Sequence, residues 1–179
     1  MLKKEIRILG LSISRELKGR RIVVGVVFRG KSWLDGVFTC SLDTGRGDSI
    51  SRISKAVTKS RQYSQLHAVI ISTKRNVLQA GIDLAELARK IKLPVISITQ
   101  KHRASKRKGN DGTGVKHYEL IVNHKQVSVL AKGITAEKAQ EVFAIASGPH
   151  SQIPEAARVA NLITDQGFCL VGVGHKKKF

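Results

Sequence analysis

Acidic residues are scarce in this sequence. Against 32 Lys and Arg stand only 13 Asp and Glu, which gives a chain of 179 residues a formal charge of +19. Such a field repels itself and costs folding stability, and a polyanionic partner offsets that cost. Aromatic residues are also few, 4% of the chain. That excludes a binding surface built mainly from stacked rings, as in recognition-motif or OB-type domains. There are two cysteines, no C-x-x-C, and six scattered histidines, so no zinc-ligand spacing is present and no metal is expected. Cys40 in FTCSL and Cys169 in FCLVG lie in apolar, strand-like settings that suit buried thiols.

Long hydrophobic runs are missing too. No stretch approaches the ~20 apolar residues of a membrane span, and no basic amphipathic helix with bulky aromatics suits a membrane surface. The N-terminal MLKKEIRILGLSISRE begins with charge, as a signal peptide does. Its apolar run is short and broken by polar residues, however, and no small-residue cleavage site follows. A cytoplasmic protein with no membrane partner is expected. Walker A and G-x-S-x-G sequences are absent, and TGRGDS has Ile50 where G-x-G-x-x-G needs its third glycine. No nucleotide cofactor is expected, although Arg46 in that turn can meet a phosphate.

What is present is an ordinary core. The hydrophobic fraction is 41%, enough for one α/β domain spanning residues 1–179 without disulfide staples. Glu5–Leu11, Arg21–Arg29 and Gly36–Asp43 have strand-like patterns, with GKSWLDG as a turn between the second and third. After Asp48, a natural N-cap, Ile50, Ile53 and Val57 recur at helical spacing. His67–Ser72 and Pro94–Thr99 are short apolar strands of the kind buried on both faces. Between them Leu84, Leu87, Ala88 and Ile91 form a helical stripe. His117–Asn123 and Val127–Leu130 suit paired strands, and helices are expected from Thr135 and from near Pro154. Phe168–Gly174 suits a last strand, and HKKKF a free tail at residues 175–179. The order implies an antiparallel meander feeding parallel β-α-β units, a mixed sheet with helices on its faces. Ligands of such sheets gather at the carboxyl ends of the parallel strands.

From one of those ends leaves the stretch KHRASKRKGNDGTGVKHY, whose first eight residues hold five Lys or Arg and His102. The loop, residues 101–116, contributes Lys101, Arg103, Lys106, Arg107, Lys108 and Lys116, and the tail Lys176, Lys177 and Lys178. Further cations crowd the first strands: Lys3, Lys4, Arg15, Lys18, Arg20, Arg21, Arg29 and Lys31. Flexible basic arms on a small body suit phosphate and shape contacts, with little reading of bases. Metal-dependent cleavage of phosphodiesters would need converging carboxylates. The candidates are Asp43 at the end of the third strand, Asp48, and Asp83, which lies early in the second helix beside Glu86.

EIRILG, VGVVFRG, LDGVFT, the S-R of KSRQY, LPVI and PEAARVA occur in that order between Glu5 and about Gly174. In this the chain resembles the archaeal "domain of unknown function ninety-nine" family, relatives of endonuclease V. The resemblance implies a ribonuclease H-like fold, with a mixed sheet and helices on both faces. It also implies where catalytic acids belong. The family's strand-one motif resembles L-G-I-D-D-G, and here its acids are replaced by Ser12 and Ser14. A D-G-x-D motif matches Gly45-Arg46-Gly47-Asp48, which keeps only the second acid. An A-G-F-N-x-x-D motif matches Val77 to Asp83, with Ala80 at the asparagine and only the last acid kept. The resemblance thus implies a nuclease fold with a depleted site.

Together these readings lead to a non-catalytic nucleic-acid-binding protein with no cofactor. Its expected partner is RNA, in a ribonucleoprotein such as the ribosome, with DNA as a possible ligand. Two alternatives remain open: a metal-dependent endonuclease using Asp43, Asp48 and Asp83 with Mg²⁺, and a DNA-packaging protein.

Overall fold

The computed structural model describes residues 5–43, 47–72, 81–99 and 113–173, with backbone alone for 167–173. Seven strands form one sheet: β1 (Arg7–Ile13), β2 (Arg20–Arg29), β3 (Trp33–Asp43), β4 (Leu66–Ile71), β5 (Val95–Thr99), β6 (Lys116–Val122) and β7 (Lys125–Lys132). Four α-helices accompany them: α1 (Ser49–Thr58), α2 (Leu84–Ile91), α3 (Ala136–Ala146) and α4 (Glu155–Val173). The order across the sheet is β3-β2-β1-β4-β5-β7-β6. β1, β4 and β5 run parallel, while β2, β3, β6 and β7 extend the sheet antiparallel on either side.

Period-two alternation sends the residues of each strand to two cores. Leu9 and Leu11 of β1, with Val69 and Ile71 of β4, pack under Ile53 and Val57 of α1 and Leu84, Leu87 and Ile91 of α2. Ile8 of β1, with Ala68 and Ile70 of β4, packs under Val142 and Phe143 of α3 and Ala156, Ala157 and Ala160 of α4. The helices therefore lie on both faces, as expected.

The third strand begins earlier than its sequence suggests. Trp33 and Leu34 already pair with Arg29 and Phe28, and a bulge opposite Val27 and Phe28 absorbs Asp35. That leaves only a tight turn at Gly30, where φ is +60°. The expected last strand at Phe168–Gly174 is a correction: residues 168–173 continue α4, and Gly174 lies outside the described residues. An apolar run does not by itself separate a strand from a buried helix. Here the alanine stripe of α4 is already seated on the sheet, so the chain extends the helix. Cys169 accordingly belongs to a helix and not to a strand. Cys40 does lie in β3, half-buried, and burial pushes its thiol pKa up.

Candidate nucleic-acid interface

The carboxyl ends of β1 and β4 meet the middle of α4. Gly10 makes that approach possible: a Cβ there would stand 2.2 Å from the Ala156 carbonyl carbon and 2.3 Å from the Ala157 nitrogen. With α4 so close, alternation aims Ser12, two residues beyond Gly10, toward the same helix. On β4, Ser72 follows Ile70 onto that face, and its N–H donates to the Leu11 carbonyl at 3.0 Å. One turn along α4 from Ala157, Asn161 donates its Nδ2 to Ser72 Oγ at 2.9 Å. Ser12 and Ser72 are buried, as is Thr164, whose hydroxyl donates back to the Ala160 carbonyl. Ser14 closes the end of β1. Its Oγ accepts from Ile22 N and donates to the Arg15 carbonyl, both at 2.8 Å. Hydroxyls and one amide thus line the strand ends, and a hard divalent cation gains little from such neutral donors.

The candidate acids lie elsewhere. Asp43 and Asp48 are brought together, but by a cation. Arg52 of α1 sits 3.0 Å from Asp43 Oδ2 and 2.9 Å from Asp48 Oδ2, and Arg20 reaches Asp43 Oδ1 at 3.5 Å. The hydrogen bond and charge of Asp48, with those of Asp43, raise the pKa of the Arg52 guanidinium above its ordinary value. Asp48 occupies the N-cap position of α1, yet its side chain caps no helix N–H and turns to Arg52 instead. Asp83 is not a residue inside the helix, as its spacing suggested, but the N-cap of α2. Its Oδ1 accepts from Ala85 N at 2.7 Å and Glu86 N at 3.2 Å. Among the described residues no three His, Cys, Asp or Glu gather as metal ligands, so this set does not fit Mg²⁺.

The basic residues divide between the two ends of the sheet. Arg15, Lys18, Arg20 and Arg21 surround the β1–β2 connection, beside Ser14 and Asp43. Lys18 has a left-handed φ of +50° in its turn, and Arg21 stands 3.5 Å from Glu16. Arg29 and Lys31 lie at the other end of β2, roughly 30 Å away for a strand of that length. There Arg29 is 4.0 Å from both Glu5 and Asp35 and 5.9 Å from the Trp33 ring centroid. They belong to a different surface, because a ten-residue strand separates its two ends. Lys116 is exposed at the start of β6. Lys3, Lys4, Gly45, Arg46, Ala80, the loop cations Lys101 to Lys108, and Lys176 to Lys178 lie outside the described residues.

Sequence reasoning missed Ser72, Asn161 and Arg52. Ser72 had a signal, since it ends an apolar strand at the carboxyl edge where ligands gather. Asn161 had none, because only the crossing of α4 over β1 brings it there.

A seven-stranded mixed sheet with parallel centre strands and helices on both faces is an endonuclease V-like, ribonuclease H-like architecture. Solved structures agree. A protein of unknown function from Archaeoglobus fulgidus superposes with a TM-score of 0.72 at 16% identity, over 90% of this chain and 98% of that one. Human ENDOV gives 0.67 at 13% identity, over 94% and 87%. Endonuclease V from Ciona intestinalis, solved with a 24mer DNA containing an inosine followed by a ribo-adenosine, gives 0.62 at 11% identity, over 94% and 88%. The model of the family described as Endonuclease dU matches residues 4–167, and the chain belongs to that family. A UPF0215 protein of Methanosarcina acetivorans is 33% identical over 90% of each chain.

Proposed function

We propose that this protein binds nucleic acid through its phosphate backbone without cutting it, and that its partner is RNA within a ribonucleoprotein such as the ribosome. The carrying observation is the Ser12, Ser72 and Asn161 group at the carboxyl ends of β1 and β4. Where a phosphodiester-cleaving centre needs negative charge to collect metal ions, this group is neutral. Without carboxylates the edge repels phosphate less, and Arg15, Lys18, Arg20 and Arg21 stand beside it. The net charge of +19 supports a polyanionic partner.

Membership of the Endonuclease dU family favours a second reading, a metal-dependent endonuclease acting on DNA or RNA. On that reading Asp43, Asp48 and Asp83 would hold Mg²⁺, and Arg52 would first have to release two carboxylates. The deciding experiment offers end-labelled RNA and DNA, plain or carrying inosine or deoxyuridine, with Mg²⁺, Mn²⁺ or a chelator. Binding that persists in chelator, with no cleavage in either metal, is expected. Cleavage abolished by Asp48→Ala or Asp83→Ala overturns the non-cutting reading.

A further inference from the structure

The β5–β7–β6 end of the sheet carries a second polar group on the α2 face. Register places Thr99 beside Ser128 and Ser128 beside Glu119, and one row inward Ser97 beside Leu130 and Leu130 beside His117. Cross-strand partners share a face, and Leu130 fixes which one, since it packs against the core under α2. Ser128 Oγ donates to Glu119 Oε1 at 2.6 Å, and His117 Nε2 lies 3.3 Å from that same oxygen. Thr99 Oγ1 donates to the Ser128 carbonyl at 3.0 Å. Ser97 is fully buried, and its hydroxyl has no hydrogen-bond partner among the described residues. His117 and Glu119 remain about one-third exposed, at 34% and 38% of their side chains.

This group lies where the chain leaves the sheet at Thr99 and returns at Thr113, whose carbonyl accepts from Lys132 Nζ at 2.6 Å. The intervening sequence holds the basic stretch Lys101–Lys108. A carboxylate at the mouth of a cationic region would weaken phosphate binding, so phosphate is not its ligand. A carboxylate is a strong acceptor for a hydroxyl proton, and an adjacent imidazole can return a hydrogen bond to the hydroxyl oxygen. A ribose 2′-hydroxyl is both donor and acceptor, and it is the group that separates RNA from DNA.

We infer that Glu119 and His117, held by Ser128 and Thr99, form a subsite for a ribose 2′-hydroxyl, which selects RNA over DNA of the same sequence. Ser128 fixes the carboxylate through Oε1 and leaves Oε2 for the ligand. The inference rests on the nucleic-acid-binding reading and supplies its substrate class. Phosphates on either side of the bound ribose would meet Lys116 and the neighbouring cations.

The test measures binding of a labelled 20-mer RNA and the DNA of identical sequence at one fixed salt concentration. The wild-type protein should prefer RNA. Glu119→Ala should lower RNA affinity roughly tenfold, as expected for losing a hydrogen bond to a charged group, while DNA affinity holds or rises. Lys116→Ala should weaken both ligands alike, because a phosphate contact carries no ribose information. Equal wild-type affinity for RNA and DNA, or an equal effect of Glu119→Ala on both, overturns the subsite and leaves the binding reading standing. A carboxylate reading a base amine would give that second outcome. Failure to bind either polymer overturns the binding reading itself.

Discussion

Asp83 shows how one residue type takes its meaning from its surroundings. By spacing it was a candidate metal ligand, but its carboxylate accepts two N–H groups that would otherwise lack partners at the start of α2. Asp83→Ala should therefore destabilise the fold by about 1 kcal/mol, the usual cost of a lost N-cap. Asp83→Ser should recover most of that, since a hydroxyl also caps. Urea midpoints of the three proteins check the expectation. A ligand role would show the opposite pattern, with metal-dependent activity lost equally in both variants. Arg52 is similar in kind: a single guanidinium spends its donors on Asp43, Asp48 and the Ser41 carbonyl. It fastens the end of β3 to the start of α1 and neutralises the two acids that lie closest together.

At the scale of elements, the contact of α4 with β1 decides where the candidate interface lies. The helix presents Ala156, Ala157 and Ala160 to the sheet, and Gly10 removes the one side chain that would hold the two apart. Gly10→Ala should cost about 3 kcal/mol or more. The added methyl meets backbone on both sides of the Ala156–Ala157 peptide, and close-packed backbone has little room to yield. Thermal or urea unfolding measures the loss. The same substitution should disturb Asn161 and Ser72, because α4 must lift away from the strand ends. The β6–β7 hairpin is tied down separately. Asn123, in its turn at φ +49°, donates Nδ2 to the carbonyls of Gly148 at 2.7 Å and Ser151 at 2.6 Å. That bond holds the hairpin against the α3–α4 connection and so steadies the strand that carries His117 and Glu119.

For the whole molecule the dominant quantity is charge. If about six or more phosphates are neutralised, affinity should fall at least ~10³-fold between 50 and 200 mM salt. A titration of binding against salt reads the slope directly, and a flat response would exclude phosphate as the main contact. The same property predicts behaviour in extract. The native protein should sediment with a ribosomal subunit at roughly physiological salt and leave it at high salt, whereas a free protein would stay at the top of the gradient. Charge alone does not make one surface, however. Arg29 and Lys31 lie at the opposite end of β2 from Arg20 and Arg21, and Arg29 is engaged with Glu5, Asp35 and Trp33. The described cations beside the strand ends are fewer than the count in the sequence suggests.

Local order was legible because it depends on neighbours along the chain. The alternation of β1 and β2, the stripe Leu84, Leu87, Ala88 and Ile91, and the Thr135 start of α3 all appear where periodicity and capping place them. The mixed sheet followed from the order of those elements, and the likely ligand class from the imbalance of charge was legible as a polyanion. Phe168–Val173 was misassigned because a short apolar run satisfies either a strand or a helix until its packing partner is known. Tertiary structure alone decided which side chains share a site. Ser72 and Asn161 are 89 positions apart, and Thr99, Ser128 and Glu119 belong to three different strands. Such groups meet only through strand register and the crossing of a helix over a glycine, long-range relations that no local pattern records.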